Sequence, residues 1–477
     1  MKKSLKVNYI YNLFYQVLIM VLPLIVTPYL SRVLGAEKIG IYSYTMSIVS
    51  YFILFGCIGI NLYGQRKIAA VQDNKKERSK IFYELFLLKL TTIIISLLFY
   101  AVFYYNGDYA IYYRILIIEL LSNILDITWY YQGIEDFKKI TIRNTIVRLM
   151  ATLLIFIFVR NQNDLINYFL IYTISNSIGY VLLWKRINKE LVKVKINIKS
   201  VLNHIKPSIS FFIPQIAMQI YTVLDKTMLG TILSDMSEVG YYEQSQKIVK
   251  TCLMIITALG TVMVPRIANL YANKKTEELN EKISKVFQIV SFITFPLCFG
   301  IIGVSNNFVP WFFGEGYEPI INLLIIFSFL LIAIGLNNIT GIQYLITTGK
   351  QKVFTITVVI GAISNFILNL ILIPKLKAEG SAIASVVAEF LILIVQIFYL
   401  RKTFDFKKIL LSNIKYLVYS IIMLIVVILI GMNLSQSFTT LIIQILAGIM
   451  TYGIILLITK EPLLNEIMRI IKKKVKR

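Results

Sequence analysis

The feature that most constrains this chain is an apolar run of about twenty residues that recurs along its whole length. Only a helix or a closed barrel satisfies its own backbone hydrogen bonds inside a bilayer, and a spanning helix needs about 20 mostly apolar residues. About fourteen such segments can be read, at residues 8–34, 39–62, 81–105, 110–132, 141–159, 165–184, 207–233, 239–264, 283–304, 319–346, 353–373, 381–400, 414–432 and 441–459. Turn residues separate them, among them Asn106-Gly107-Asp108, Asn161–Asp164, Gly314-Glu315-Gly316 and Gly349-Lys350. The start, Met1-Lys2-Lys3, resembles a signal-peptide n-region, but the apolar stretch behind it is too long and lacks an A-x-A site, which predicts an uncleaved first span. The expected fold class is therefore all-α and integral to the membrane. Composition agrees: 57% of the 477 residues are hydrophobic and 16% are charged, against about 25% charged in soluble domains.

Charge then sets topology. The chain carries 49 Lys and Arg against 25 Asp and Glu, a net +24. With the N-terminus placed inside, most basic residues fall in the inward connections, while Arg32, Lys38, Arg160, Lys375 and Lys377 fall in the outward ones. That asymmetry predicts an even number of spans with both termini cytoplasmic in a bacterial inner membrane. It also makes the basic residues topology anchors facing anionic lipid, and so argues against nucleic acid as a partner. The single histidine, His204, excludes a His-ligated metal centre or a His-dependent triad, and Cys57, Cys252 and Cys298 lie in apolar runs with no disulfide or CxxC pattern. Gly341 to Gly349-Lys350 has the wrong spacing for a P-loop, so no ATPase is built in. The expectation is a protein that is not an enzyme and holds no cofactor or metal. Any pumping would draw on an ion gradient, the membrane potential or the substrate gradient.

The two halves repeat. Glu37-Lys38-Ile39-Gly40-Ile41-Tyr42 parallels Ser237-Glu238-Val239-Gly240-Tyr241-Tyr242, and Arg66…Asn74-Lys75-Lys76 parallels Arg266…Asn273-Lys274-Lys275. The parallel repeat predicts two six-helix lobes, residues 1–188 and 207–404, joined by a polar cytoplasmic linker at 189–206. Helices 13 and 14 (405–459) would be an addition, and 460–477 a basic tail that is either an amphipathic helix on the inner membrane surface or a frayed end. Transporters of this design place substrate between the lobes.

An ionisable residue within a span is costly and is by default a functional candidate. Glu243, Lys247 and Lys250 share one helix face, Asp225 adjoins Lys226, and Gln215 and Gln219 lie a turn or two before them. With Asn8, Asn12 and Gln16 of the first span they suggest a wet, cationic cavity between lobes, suited to an anionic substrate such as a diphosphate. The plainer readings are that Glu243 and Lys247 form a helix-stabilising i,i+4 pair, and that Lys89, Arg114, Arg148 and Lys415 snorkel to an interface. Glu119, Asp126, Asp225 and Glu389 are the candidate proton or cation sites; the alternative for them is neutralisation of buried Lys and Arg.

Several segments together resemble the Wzx-type polysaccharide flippases, of the MOP superfamily that also holds the MATE exporters and the lipid II flippases. They are Leu30-Ser31-Arg32-Val33-Leu34-Gly35 with Gly40, Trp129–Glu135, Asp225–Gly230, Phe313–Tyr317, and Asn369–Pro374 followed by Gly380–Ala384 and Glu389. The resemblance runs from about Asn8 to about Glu389; helices 13 and 14 match by position only. It implies a two-lobed, V-shaped, alternating-access fold. It further implies movement of undecaprenyl-diphosphate-linked oligosaccharide repeat units from the inner to the outer leaflet for capsule or another surface polymer. Arg32, Lys226, Lys247 and Lys250 would then offer charge to the diphosphate or sugar acids, the polyprenyl tail would stay in lipid or near helices 13 and 14, and a polymerase and other assembly proteins would be partners. A multidrug or cation antiporter, a lipid II flippase and a non-transporting membrane scaffold are the competing readings.

Overall fold

The computed structural model describes residues 5–185 and 187–466; the side chains of residues 5–17, 214, 217, 218, 220, 221, 259, 261 and 262 fall outside the description. The described chain is helical from end to end and divides by its contacts into two compact units, Met1–Gly240 and Tyr241–Arg477.

In the first unit the order is α1 (Leu5–Cys57), α2 (Ile60–Ala70), α3 (Lys75–Tyr104), α4 (Ala110–Ser122), α5 (Thr128–Gly133), α6 (Phe137–Phe158), α7 (Leu165–Trp184), α8 (Ile187–Glu190), α9 (Ile198–Leu202) and α10 (Ile205–Ile232). Helix α1 is broken at Gly35, whose φ of 78° is open to glycine at little cost. The break falls between the first two expected spans. Helix α3 starts on Asn74, whose side chain accepts the Glu77 amide at 3.1 Å and so satisfies one of the orphan donors of the first turn. Trp129, Tyr130 and Tyr131 of α5 are buried in a core completed by Phe82 of α3, Leu183 of α7 and Val201 of α9. The polar stretch 189–206 packs on this unit: Val192 N–H donates to Ser79 Oγ at 2.9 Å, and Arg78 donates to the Glu190 carbonyl at 2.9 Å.

Helix α11 (Met236–Ala272) begins in the first unit and continues into the second. There follow α12 (Thr276–Phe313), α13 (Pro319–Asn337), a π-helical segment at Asn338–Ile346, α14 (Gln351–Leu400), α15 (Phe406–Asn433) and α16 (Phe438–Ile458). Helix α14 is broken at Lys377, between the eleventh and twelfth expected spans, and its two arms return on each other. A Cβ at Gly361 of the first arm would lie 2.5 Å from Ile392 of the second. Tyr416, Met423, Val427, Tyr452 and Leu456 form the buried seam of α15 and α16.

Among the described residues nine helices are long and apolar enough to cross a membrane, or up to ten when the bent pair within α11 is taken as one span. Two of the nine, Leu18–Ala70 and Gln351–Leu400, are 53 and 50 residues long and hold two expected spans each. The fourth expected span differs. It is interrupted: α4 has only 13 residues, a 3-10 turn occupies Asn123–Leu125, and α5 starts at Thr128. Apolar residues flank that turn on both sides, so hydropathy alone reads through it. Within 460–477, residues up to 466 are described and 462–466 are helical; the rest of the expected amphipathic tail lies outside the described residues.

Candidate functional site

The polar residues expected on the seventh and eighth spans lie on α10 and α11. In the first unit Asp225 is buried and Lys226 half-buried, and Thr227 next to them bonds Ser47 of α1 at 2.9 Å. Gln219 and Gln215 are half-buried, and Gln215 Nε2 is enclosed with no hydrogen-bond partner among the described residues. Arg32 is exposed on α1, one turn before the Gly35 break. The side chain of Asn12 lies outside the described residues.

In the second unit Lys247 is half-buried and Lys250 exposed. Lys250 Nζ donates to Gln246 Oε1 at 2.7 Å, Gln246 Nε2 lies 3.4 Å from the Tyr242 hydroxyl, and that hydroxyl is 3.2 Å from Ser385 Oγ on α14. Asn365 donates to the same Ser385 oxygen at 3.4 Å and accepts from Asn369 at 3.1 Å. One hydrogen-bonded chain thus runs from an exposed ammonium into the α14 hairpin. One turn beyond Ser385, Glu389 is buried, and Asn337 Nδ2 donates both to its Oε2 at 2.5 Å and to its backbone carbonyl at 3.0 Å. Asn337 ends α13 where the chain enters the π-helical turns. A π-bulge displaces the backbone register and frequently marks a functional position. Here it sets Thr340 against Gln396 Oε1, while Gln396 Nε2 donates to Thr357 at 3.1 Å.

The first unit has a polar interior of another kind. Glu119 of α4 is buried and takes both of its oxygens to Asn176 Nδ2 of α7, at 3.2 and 3.3 Å. Arg143 of α6 and Asp126 act on Glu119 electrostatically. Arg143 donates Nε to the Gly179 carbonyl at 3.1 Å, stacks 4.6 Å from the Tyr180 ring, and holds Nη2 enclosed with no partner among the described residues. Asp126 accepts the Thr128 amide at 3.0 Å and also the Thr128 hydroxyl, closing the turn into α5. Lys89 is fully buried, not snorkelling, with Nζ donating to the Asp126 carbonyl at 2.9 Å. Arg114 and Arg148 are exposed, and Lys415 pairs with Glu461 at 2.6 Å.

Comparison with known proteins identifies this architecture. The family model described as "Polysaccharide biosynthesis protein" matches residues 5–271, more than half of the chain. The chain belongs to the polysaccharide biosynthesis protein family. A second model, "Lipid II flippase MurJ", matches residues 187–451, also more than half of the chain. A relative from Escherichia coli (strain K12), named "Putative O-antigen transporter", is 26% identical over 84% of this chain and 97% of its own length. The "Capsular polysaccharide biosynthesis protein CapF" of Staphylococcus aureus is 24% identical over 77% of this chain and 92% of its own. Among solved structures, a lipid II flippase MurJ in an inward closed conformation shares the fold with a TM-score of 0.77 at 20% identity, covering 96% of this chain and 99% of that one.

The segment Trp129–Glu135, which carries much of the family resemblance, is a packing element. Gly64 and Gly133 leave room for Trp129 and Ile68, since a Cβ on either would approach those side chains to 2.6 Å. Arg143 was missed as an interior residue because it sits near the end of an apolar run, where a cation reads as a topology anchor. Apart from its neighbour Asn144, its partners Gly179 and Tyr180 come from α7, more than thirty positions away, and no local pattern points to them.

Proposed function

We propose that this protein moves undecaprenyl-diphosphate-linked oligosaccharide repeat units from the inner to the outer leaflet of a bacterial inner membrane, by alternating access, for capsular or other surface polysaccharide. The observation that carries the reading is family membership together with the printed functions of full-length relatives, an O-antigen transporter and a capsular polysaccharide protein. Lys226, Lys247 and Lys250, with Arg32, Gln215, Gln219 and Asn12, are the residues proposed to meet the diphosphate and sugars, since anionic groups are best held by charge-assisted donors. Glu119 and Glu389 are the leading coupling candidates, with Asp225 and Asp126 behind them. We place both termini on the cytoplasmic side, as the positive-inside asymmetry requires, and a polymerase among the partners.

The test is Lys226→Gln with Lys247→Gln in a host whose surface polymer depends on this protein. Lipid-linked repeat units should accumulate on the cytoplasmic leaflet and surface polymer should fall at least tenfold, about 1.4 kcal/mol of binding or more. Normal polymer in both single variants and the double would overturn the assigned roles. The match of the MurJ model to 187–451 favours one alternative, a lipid II flippase. Rescue of a strain lacking its own lipid II flippase would establish that reading in place of the first.

A further inference from the structure

The open end of the α14 hairpin carries a surface groove of about 380 Å³ in the second unit. Its walls are Val353 and Ile356 of the first arm and Val395 and Phe398 of the second, with Ile356 and Phe398 exposed. Its mouth is basic. Arg401 and Lys402 line it, and Lys350 and Lys352 open the opposite arm. The arms end together here, since Thr357 of one is bonded to Gln396 of the other. Aromatic faces hold the cations in place: Arg401 lies 3.9 Å from the Phe398 ring centroid, and Lys350 lies 5.3 Å from Tyr344 and 5.8 Å from Tyr399. None of the ion pairs among the described residues uses Lys350, Lys352, Arg401 or Lys402. The nearest acid along the chain, Asp405, accepts the Lys408 amide as the cap of α15.

A second groove in the molecule isolates what the charge adds. Phe52, Phe55, Ile58, Phe99 and Phe103 of the first unit line an opening of about 450 Å³ with no charged residue among its walls. Any bilayer chain can lie in that one. The α14 groove joins an acyl-sized apolar slot to a cationic mouth, which is the pairing that recognises an anionic headgroup on a lipid tail.

We propose that the α14 groove is a binding site for an anionic phospholipid of the surrounding membrane, its phosphate at Arg401 and Lys402 and one acyl chain between Ile356 and Phe398. The proposal requires only that the protein resides in a membrane, so it stands or falls independently of which molecule is transported. The experiment uses the full-length protein in nanodiscs containing photoactivatable phosphatidylglycerol or photoactivatable phosphatidylcholine, with crosslinked peptides mapped by mass spectrometry. Labelling of residues 353–402 should favour phosphatidylglycerol, and R401Q/K402Q should lower that preference by about fivefold per cation removed. R401K should retain it, and Ile356→Trp should block labelling by filling the slot. The Phe52–Phe99 groove should show no headgroup preference in any variant. Equal labelling by both lipids at 353–402, or a preference unchanged in R401Q/K402Q, would overturn the proposal. So would loss of the preference in 10 mM inorganic phosphate, which would make the mouth a free-anion site. Displacement of the label by undecaprenyl diphosphate but not by excess unlabelled phosphatidylglycerol would assign the groove to the transported lipid instead.

Discussion

Two buried carboxylates, one in each unit, are handled by different chemistry. Glu119 sits in an interior of titratable side chains: Arg143 and Asp126 act on it, and Lys89 lies fully buried against the Asp126 carbonyl. Glu389 sits among carboxamides and hydroxyls, with Asn337 donating to it and Gln396, Asn365, Asn369 and Ser385 bonded nearby along the same hairpin. A polar group inside a bilayer must be satisfied internally, and charge compensation and neutral hydrogen bonding are the two ways to do it. They differ in what protonation costs. A change of charge at Glu119 is felt by both Arg143 and Asp126. At Glu389 the hydrogen-bond donor is a neutral amide, and the same Asn337 amide has an enclosed Oδ1 with no hydrogen-bond partner among the described residues. Turning that amide to accept from a protonated carboxyl would give up the Nδ2 bond to the Glu389 backbone carbonyl. On the proposed reading Glu389 is therefore the coupling candidate to test first.

Breaking the charged interior should have the largest effect. Lys89→Ala empties a fully buried site and leaves the Asp126 carbonyl without its donor, an expected loss of about 2–5 kcal/mol. The counterpart in the second unit, Gln396→Leu, gives up two neutral hydrogen bonds and should cost about 1–3 kcal/mol. Thermal unfolding of the purified variants in one detergent makes the comparison. Equal losses would mean that the two interiors are energetically alike and the contrast is one of composition only.

The amide substitutions come next and separate stability from coupling. Glu119→Gln keeps the shape of the side chain but replaces one of the two oxygens that accept from Asn176 Nδ2 with a donor, so it should destabilise by about 1–3 kcal/mol. Glu389→Gln, already among amides, should stay within about 1 kcal/mol of the parent yet flatten the pH dependence of transport in proteoliposomes. A Glu389→Gln protein whose transport still follows the pH gradient would move the coupling role to Glu119 or Asp225.

How much of this the sequence disclosed depends on the reach of each interaction. Helices and their breaks were readable because apolar runs and Gly35 or Pro374 act locally; the α14 break at Lys377 falls inside the short connection that Pro374 and Gly380 delimit. The α4–α5 turn was not, because Ile124, Leu125 and Ile127 keep hydropathy high through it. The offset of Gly40 and Gly240 suggested a repeat and gave no sign of the contact between them. A Cβ at Gly40 would stand 1.7 Å from the Met236 carbonyl oxygen, and one at Gly240 would stand 2.0 Å from that of Ala36, so each glycine lets the backbone of α1 and the start of α11 touch. Among the candidate site residues, the side-chain types were legible and their neighbours were not. Lys89 and Arg114 are both single cations in apolar runs, and only packing makes one fully buried and the other exposed.

The smallest effect tests whether the contrast belongs to whole units or to depth. The second unit also uses ion pairs, where the chain leaves α16. Glu461 is buried there and receives Lys415 at 2.6 Å, the Tyr416 hydroxyl at 2.7 Å and Gln288 at 3.2 Å; Glu466 is exposed and meets only Lys285, at 2.5 Å, among its described bonds. The Lys285 hydrogen bond and charge hold the Glu466 carboxyl below its ordinary value of 4.5. A lowered folded value means that this pair contributes above the ordinary carboxylate value and loses its contribution as pH falls through the lowered one. Glu466→Gln should therefore change the melting temperature barely at pH 7 and not at all once the pH is below both values. Glu461→Gln breaks a buried, three-donor clasp and should cost about 1.5–3 kcal/mol at pH 7. If Glu466→Gln proves the costlier of the two, exposure is not what sets the worth of these pairs, and the division of labour between Glu119 and Glu389 loses its physical basis as well.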